Sequence, residues 1–417
     1  MNPGAVPADS GYFYRFLGAH SLLIGLLPFF LPVFLWQHGL DLAGLALLIG
    51  VSGVGFVAAL GSWQRLAVRM PLRVLISLSF VLEFGLILVV GLLTQVPGAP
   101  LFSKPGMAPD ISMPEMVLAA SAIGVANGLY NAFFWTTQRT LFLQQLDGND
   151  TGRHYGNFQI FVTLFLKAGI LLGGVLLEFG GFIWLLAISA GVGVVSTTQL
   201  AMRAGNRPAM RQNAVLFRDA GEGVTLLGSL TTADRRGSRP VFIVDGLFLY
   251  LESHFWTLTL FLVVRQDYSR LGVAVVLLAL VFAALFYLIK NRIDQLPVER
   301  VYIAAVWLYA SSWLLRFTLD SESSGASLWF ALILITFCSS FFRLAFNKRF
   351  FDVARQAGSV HYLLVKSYSS QAWLGFIFIP LAALLLFIPF PQDQFLQYLY
   401  LPAALLSAIY WRYSSQG

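Results

Sequence analysis

The chain has one cysteine, Cys338, in 417 residues. That excludes an intrachain disulfide and any metal site built from clustered thiolates. Charge is scarce too: 11% of residues are Asp, Glu, Lys or Arg, against 58% hydrophobic. The histidines (His20, His38, His154, His254, His361) are scattered, and no His-Glu-x-x-His sequence pairs two of them on one helix face. No glycine-rich loop runs into Lys-Ser or Lys-Thr, so ATP drive is not expected. With these signatures missing, we expect no enzyme activity, no cofactor and no metal.

What the chain does have is apolar runs. An apolar helix of about 20 residues matches the hydrocarbon thickness of a bilayer. Such runs are expected as helices at 17–38, 43–63, 72–95, 115–138, 157–179, 181–202, 241–264, 270–290, 299–318, 326–347, 362–387 and 395–412. They are too long, and do not alternate, as barrel strands would. The fold class expected is therefore all-α integral membrane, with twelve transmembrane helices. No A-x-A-like site follows a short apolar stretch, so no cleavable leader is expected, and the first span serves as its own insertion signal.

The net charge of +7 does not point to nucleic acid, because of where it lies. If loops alternate from a cytoplasmic N-terminus, only Lys104, Arg265 and Arg270 fall outside, and Lys167, Arg316, Arg343 and Lys366 fall within spans. The other 20 of the 27 Lys and Arg residues lie on the inner side. This is the positive-inside asymmetry, and it puts both termini in the cytoplasm. Asp41, Asp110, Asp267, Asp320, Glu322 and Asp393 make the outer loops acidic.

The longest polar segment, about 204–240, carries Arg207, Arg211, Arg218, Arg235, Arg236 and Arg239. It reads as a basic linker, and Asn213 to Leu230 could also form an amphipathic helix on the membrane surface. It divides the chain into residues 1–203, a linker, and residues 241–417, each flank holding six spans. In each half the second-to-third and fourth-to-fifth connections are inner and polar. Two such six-helix halves around a midplane site are a known transporter architecture.

An ionisable group within a span is a functional candidate by default. The helical period gathers the polar residues into stripes. The fourth span carries Gly124, Asn127, Asn131, Trp135 and Gln138. The fifth carries Gln159, Thr163 and Lys167. The seventh carries Asp245, Glu252 and Trp256 on one face, with Tyr250, His254 and Thr257 adjacent. The tenth carries Thr336, Ser340, Arg343 and Asn347, and the eleventh opens with Lys366 through Gln371. The first shows Ser21, Gly25, Pro28, Pro32 and Trp36 on one line. Each has a plainer reading. Asn127 and Asn131 could bond a neighbouring helix. Asp245, Lys366 and Arg343 could reach the inner surface. His254 could be a core histidine satisfied by a hydroxyl. Glu83, in the middle of the third span, could be bonded within its own half.

At this point the chain resembles the major facilitator superfamily, through its six-plus-six rhythm, long inner linker and basic second-to-third loop. In that loop Gly61 and Arg69 fit the family pattern, while Arg65 stands in place of its Asp and Val68 in place of its second Gly. In the fourth helix Gly128 fits, and Gly124 occupies the place of its Arg. Gly169, Gly173 and Gly174 partly match the glycine pattern of drug–proton antiporters, without its Gly-Pro pair. The resemblance implies a central cavity lined by spans one, four, five, seven, ten and eleven, the spans where polarity concentrates. It also implies a monomer.

The expected activity is secondary active transport across a bacterial cytoplasmic membrane by alternating access, coupled to protons. The solute expected is a small organic anion or zwitterion, since Lys167, Arg343 and Lys366 outnumber Asp245 and Glu252. Glu252 is the expected proton-responsive carboxylate, with Asp245, His254 and Glu83 as further proton sites. Lys167, Asn127, Asn131, Trp135, Tyr250, Trp256, Arg343, Lys366 and Gln371 are the expected solute contacts. Lys167 and Glu252, both near the midplane, could neutralise one another in some states. Partners expected are the solute, protons and the lipid bilayer. Two alternatives stay open: an exporter of drugs or amphipathic compounds, and a non-transporting assembly factor or sensor on a transporter fold.

Overall fold

The computed structural model describes residues 10–70, 72–96, 98–99, 101, 111–144, 151–202, 224–231, 234, 237–293, 297–319, 325–356, 359–388 and 391–413. Most of the linker, with Arg207, Arg211 and Arg218, and most of the 97–114 loop lie outside these residues. Of the segment 213–230, only the end is described, where α8 forms one turn.

The described elements are helical: α1 Ser10–Leu26, α2 Leu31–Gln37, α3 Leu42–Arg69, α4 Leu72–Thr94, α5 Met113–Gln144, α6 Thr151–Val175, α7 Phe182–Met202, α8 Leu226–Thr231, α9 Arg239–Tyr250, α10 Trp256–Val263, α11 Tyr268–Ile293, α12 Val298–Phe317, α13 Gly325–Gln356, α14 Ser359–Phe387 and α15 Gln392–Ser407. Ten helical stretches among the described residues are long and apolar enough to cross a bilayer. Large apolar side chains such as Phe179 and Phe387 stand 79% and 80% exposed on them, a surface suited to lipid and not to water.

The helices differ from the apolar runs where a run is a poor ruler. α5 and α13 continue to Gln144 and Gln356, beyond the apolar stretches, because a helix needs backbone hydrogen bonds and not hydrophobicity once it leaves the membrane. The first span is broken between α1 and α2. Pro28 and Pro32 lack an N–H, and Pro32 sits in the first turn of α2, where that lack costs least. Asp41 caps α3 by accepting a 2.8 Å hydrogen bond from the Gly44 N–H. The seventh span is one helix with a wide π turn, Leu251–Phe255, between α9 and α10. Such turns tend to occur at functional positions.

Packing is set by small residues. α1 lies on α6, α3 on α5, α9 on α14, and α12 on both α13 and α15. α3 also packs on α14, and α6 on α11, joining early helices to late ones. Gly25, Gly169 and Gly173 bring the α1 and α6 backbones into contact, so that a Cβ on Gly169 would strike the Leu22 carbonyl. A Cβ on Gly53 would come within 2.5 Å of the Gln371 carbonyl of α14, and one on Gly246 within 2.7 Å of the Ser370 carbonyl. Without a hydrophobic force between helices in lipid, close backbone approach is a principal source of association.

Candidate functional site: a buried ion network and a polar ladder

Asp245 and Glu252 are about two turns apart, which puts both carboxylates on one face of the seventh span. Asp245 is 1% exposed and fully engaged. Its Oδ1 accepts from Arg343 Nη1 at 2.6 Å and from the Tyr410 hydroxyl at 3.0 Å, and its Oδ2 lies 2.8 Å from Lys366 Nζ. Glu252, in the π turn, receives Arg343 Nη2 at 2.9 Å and Nε at 3.0 Å on a single oxygen, Oε2. Arg343 from α13 therefore bridges the two acids, as a planar guanidinium with several fixed donors can.

The other oxygen of Glu252, Oε1, has no hydrogen-bond partner among the described residues, and Arg316 Nη2 stands 4.0 Å from it. Arg316 is buried on α12. It donates to Ser312 at 2.9 Å and Ser339 at 2.8 Å, and its guanidinium lies over Trp313 at 4.1 Å and Trp256 at 4.8 Å. The aromatic faces replace part of the hydration that the cation gave up. Lys366 likewise sits over Phe350 at 4.4 Å. The network holds Arg316, Arg343 and Lys366 against Asp245 and Glu252, an excess of one positive charge with every group ionised.

Asp245 and Lys366 thus do not reach the inner surface; each is buried in an ion pair. The network has an open edge: Glu252 and Arg343 are 20% and 18% exposed by side chain. Ser253 is exposed, and Trp256, Thr336, Ser340 and Asn347 are partly exposed along the same stripes of the seventh and tenth spans.

The second assembly is neutral. Trp135 Nε1 donates to Asn131 Oδ1 at 2.9 Å, Asn131 Nδ2 donates to Asn127 Oδ1 at 2.9 Å, and Asn127 Nδ2 donates to Ser52 Oγ at 3.0 Å. Ser52 in turn meets the Tyr250 hydroxyl at 3.2 Å. The stripe on α5 is therefore a hydrogen-bonded ladder whose last step crosses from α3 to α9. Asn131 and Trp135 are partly exposed. Replacing Tyr250 with Phe removes that last step. The expected loss is about 0.6 kcal/mol, the mean for a hydrogen bond between membrane helices, measured as thermal unfolding of purified protein. An unchanged unfolding temperature would mean that the ladder ends at Ser52.

Gln371 and His254 are buried nearby in sequence to these groups. Gln371 Oε1 and His254 Nε2 each lack a partner among the described residues. His254 Nδ1 lies 2.8 Å from the Ser253 hydroxyl, so a hydroxyl does satisfy one ring nitrogen, and among the described residues no hydrogen bond or ion pair joins it to Glu252. Trp256 serves Arg316 as a face. Lys167 is partly buried and makes no ion pair or hydrogen bond among the described residues. It is not paired with Glu252, whose partners are arginines. Glu83 joins neither assembly and is bonded to His20, within the early helices.

Sequence reasoning missed Arg316, Ser52, Tyr410 and His20. Arg316 and His20 carried the usable signal, each an ionisable group inside an apolar run. Ser52 and Tyr410 carried none, since single hydroxyls are common in membrane helices.

No protein-family model matches the sequence, and no curated protein matches it at a significant level. Solved structures do match. The nucleoside transporter NupG superposes with a TM-score of 0.63 at 13% identity, covering 95% of this chain and 97% of that one. A bacterial homologue of the iron transporter ferroportin, in an outward-facing state with soaked iron, gives 0.59 at 16% identity over 98% and 100%. The peptide transporter POT in complex with alafosfalin gives 0.51 at 14% over 97% and 93%. The fold is of the major facilitator type. The fold is shared over almost the whole of each chain, so the ion network and the ladder sit within the fold that these three structures have. The three neighbours differ in what their names say they carry, and a major facilitator scaffold by itself names no solute.

Proposed function

We propose that this chain is a secondary active transporter for a small organic anion or zwitterion, coupled to protons. It has twelve spans in two six-helix halves, 1–203 and 241–417, joined by 204–240. Both termini face the cytoplasm of a bacterial cell, and the protein works as a monomer by rocking the halves about the central site. The observation that carries this reading is the excess cation of the Asp245–Glu252–Arg316–Arg343–Lys366 network at an edge that is partly exposed. That excess positive charge attracts an incoming anion to the edge.

The geometry supports a specific exchange. An anionic group arriving at Arg343 and Arg316 competes with the Glu252 carboxylate for the same donors. Once displaced, Glu252 takes a proton from water, so anion and proton are bound together and the local charge is conserved. Asn131 and Gln371 offer neutral hydrogen bonds to the rest of the solute, Trp135 offers an aromatic face, and Lys167 adds attraction for anions. The basic inner loops support the orientation.

The first test is thermal stabilisation of purified full-length protein by libraries of organic anions, zwitterions and neutral amphipaths. A ligand present at a hundred times its Kd stabilises by about 2.7 kcal/mol. Anions or zwitterions are expected among the hits. Hits restricted to neutral amphipaths point to an exporter, and a complete lack of hits sinks the transport reading. With a hit in hand, Glu252→Gln in proteoliposomes should abolish proton-driven uptake while counterflow exchange continues. Full driven uptake would remove Glu252 from the coupling step.

A further inference from the structure

The early helices bury a second pair of ionisable groups that the ion network does not use. His20 of α1 and Glu83 of α4 are 0% and 1% exposed, with Nδ1 and Oε2 at 2.9 Å. The other ring nitrogen, Nε2, lies 2.9 Å from Ser79 Oγ, and that hydroxyl donates its proton to the Ile76 carbonyl at 2.7 Å. Ser79 can therefore only accept from the ring, which puts a proton on Nε2. Tyr130 of α5 donates to the far oxygen of Glu83 at 3.4 Å.

What remains is Nδ1 facing Oε2. Two bare lone pairs at 2.9 Å repel, so one proton belongs to the pair, on the ring or on the carboxyl, although the two atoms are not aligned as a regular hydrogen bond and neither has another partner among the described residues. The surroundings are dry and aromatic. Phe80 stacks on the imidazole at 3.8 Å, and Phe134 and Phe16 lie at 4.4 Å and 4.9 Å. With the proton in place the pair is neutral overall. Without it, a net negative charge sits in that pocket with nothing to balance it.

Among the residues whose side chains the structure describes, no neighbouring element pairs a cation with Glu83. α5 presents Tyr130, and α4 presents Ser79 besides Glu83. α7 contains no ionisable residue, and neither does α3 between Leu42 and Gln64. Lys167 of α6 makes no ion pair or hydrogen bond among the described residues. The pair is also well placed to act on motion. His20 lies two turns before the α1–α2 break, and Tyr130 is flanked on α5 by the ladder residues Asn127 and Asn131.

We propose that His20 and Glu83 form a proton-binding site of their own, a latch in which one shared proton holds α1 against α4. Loss of that proton to water leaves a neutral imidazole facing a carboxylate, and α1 must part from α4. The role assigned to the latch rests on the reading of the chain as a proton-coupled transporter. It adds a site in the first half that is separate from the solute-linked carboxylate in the second.

The test needs no solute. Infrared difference spectra of the full-length protein in lipid, stepped between about pH 5 and about pH 8, the range where an imidazole titrates, should show carboxyl or imidazole bands. Those bands should vanish in Glu83→Gln and in His20→Asn. Because the closed arrangement holds a proton that the open one releases, wild-type thermal stability should fall as pH rises across that range. Glu83→Gln, which keeps a neutral hydrogen bond to the ring, should lose that slope. A wild-type spectrum without such bands overturns the latch, whether or not either variant folds. Parallel stability curves for wild type and Glu83→Gln also overturn it, leaving the pair a fixed structural contact. Failure of every solute screen would overturn the transport reading and leave these results untouched.

Discussion

Replacing Arg343 with Ala should cost the folded protein about 3–5 kcal/mol, the loss expected when one member of a buried ion network is removed. Two carboxylates depend on this one guanidinium. Asp245 would keep Lys366 at 2.8 Å and the Tyr410 hydroxyl, whereas the one cation left near Glu252 among the described residues would be Arg316, at 4.0 Å. The loss is therefore mainly an uncompensated carboxylate at Glu252. That makes a sharper experiment available. Arg343→Gln combined with Glu252→Gln removes both the cation and the acid that needs it, and should be more stable than Arg343→Gln alone. Arg343→Lys should fall between, because a single ammonium does not span two acids as a guanidinium does. Thermal unfolding in detergent checks the series. Equal losses for the single and the double variant would show that Arg343 contributes through packing and not through charge.

The second large effect concerns helix contact. Gly169→Ala should destabilise the protein by about 1–3 kcal/mol, as forced overpacking does, although alanine is the better helix former. The added methyl meets the Leu22 carbonyl, a backbone atom that cannot move without shifting the whole of α1. Gly191 on α7 is the control, since a Cβ there meets nothing within 4 Å. Gly191→Ala should be neutral or stabilising by up to about 1 kcal/mol, the difference in helix propensity. Gly169→Val should be worse than Gly169→Ala. If the two alanine variants unfold alike, the α1–α6 contact is not held by backbone approach. If α1 and α6 also move against one another during transport, Gly169→Ala should lower the transport rate by more than its stability loss explains.

Much of the architecture was legible because a bilayer imposes a length and a helix imposes a period. Runs of about 20 apolar residues mark spans whatever their neighbours are. The 3.6-residue repeat put Asn127, Asn131 and Trp135 on one line, and the structure joins them by hydrogen bonds. The same repeat put Asp245 and Glu252 on one face, where a single arginine meets both. The ends of α5 and α13 were not legible, since polar residues continue a helix without announcing it.

The charge of each intramembrane residue follows from its identity, but its partner does not. Sequence alone settled that this chain uses the bilayer as solvent, that it is helical, and that its spans carry ionisable groups which water cannot satisfy. Only the tertiary structure decided that Arg343 rather than Lys167 neutralises Glu252, and that Glu83 belongs to His20. The reason is physical. Periodicity is local and acts over one or two turns, whereas Arg343 lies 98 residues from Asp245 and 91 from Glu252, and which side chains meet across such distances is fixed by how the helices pack.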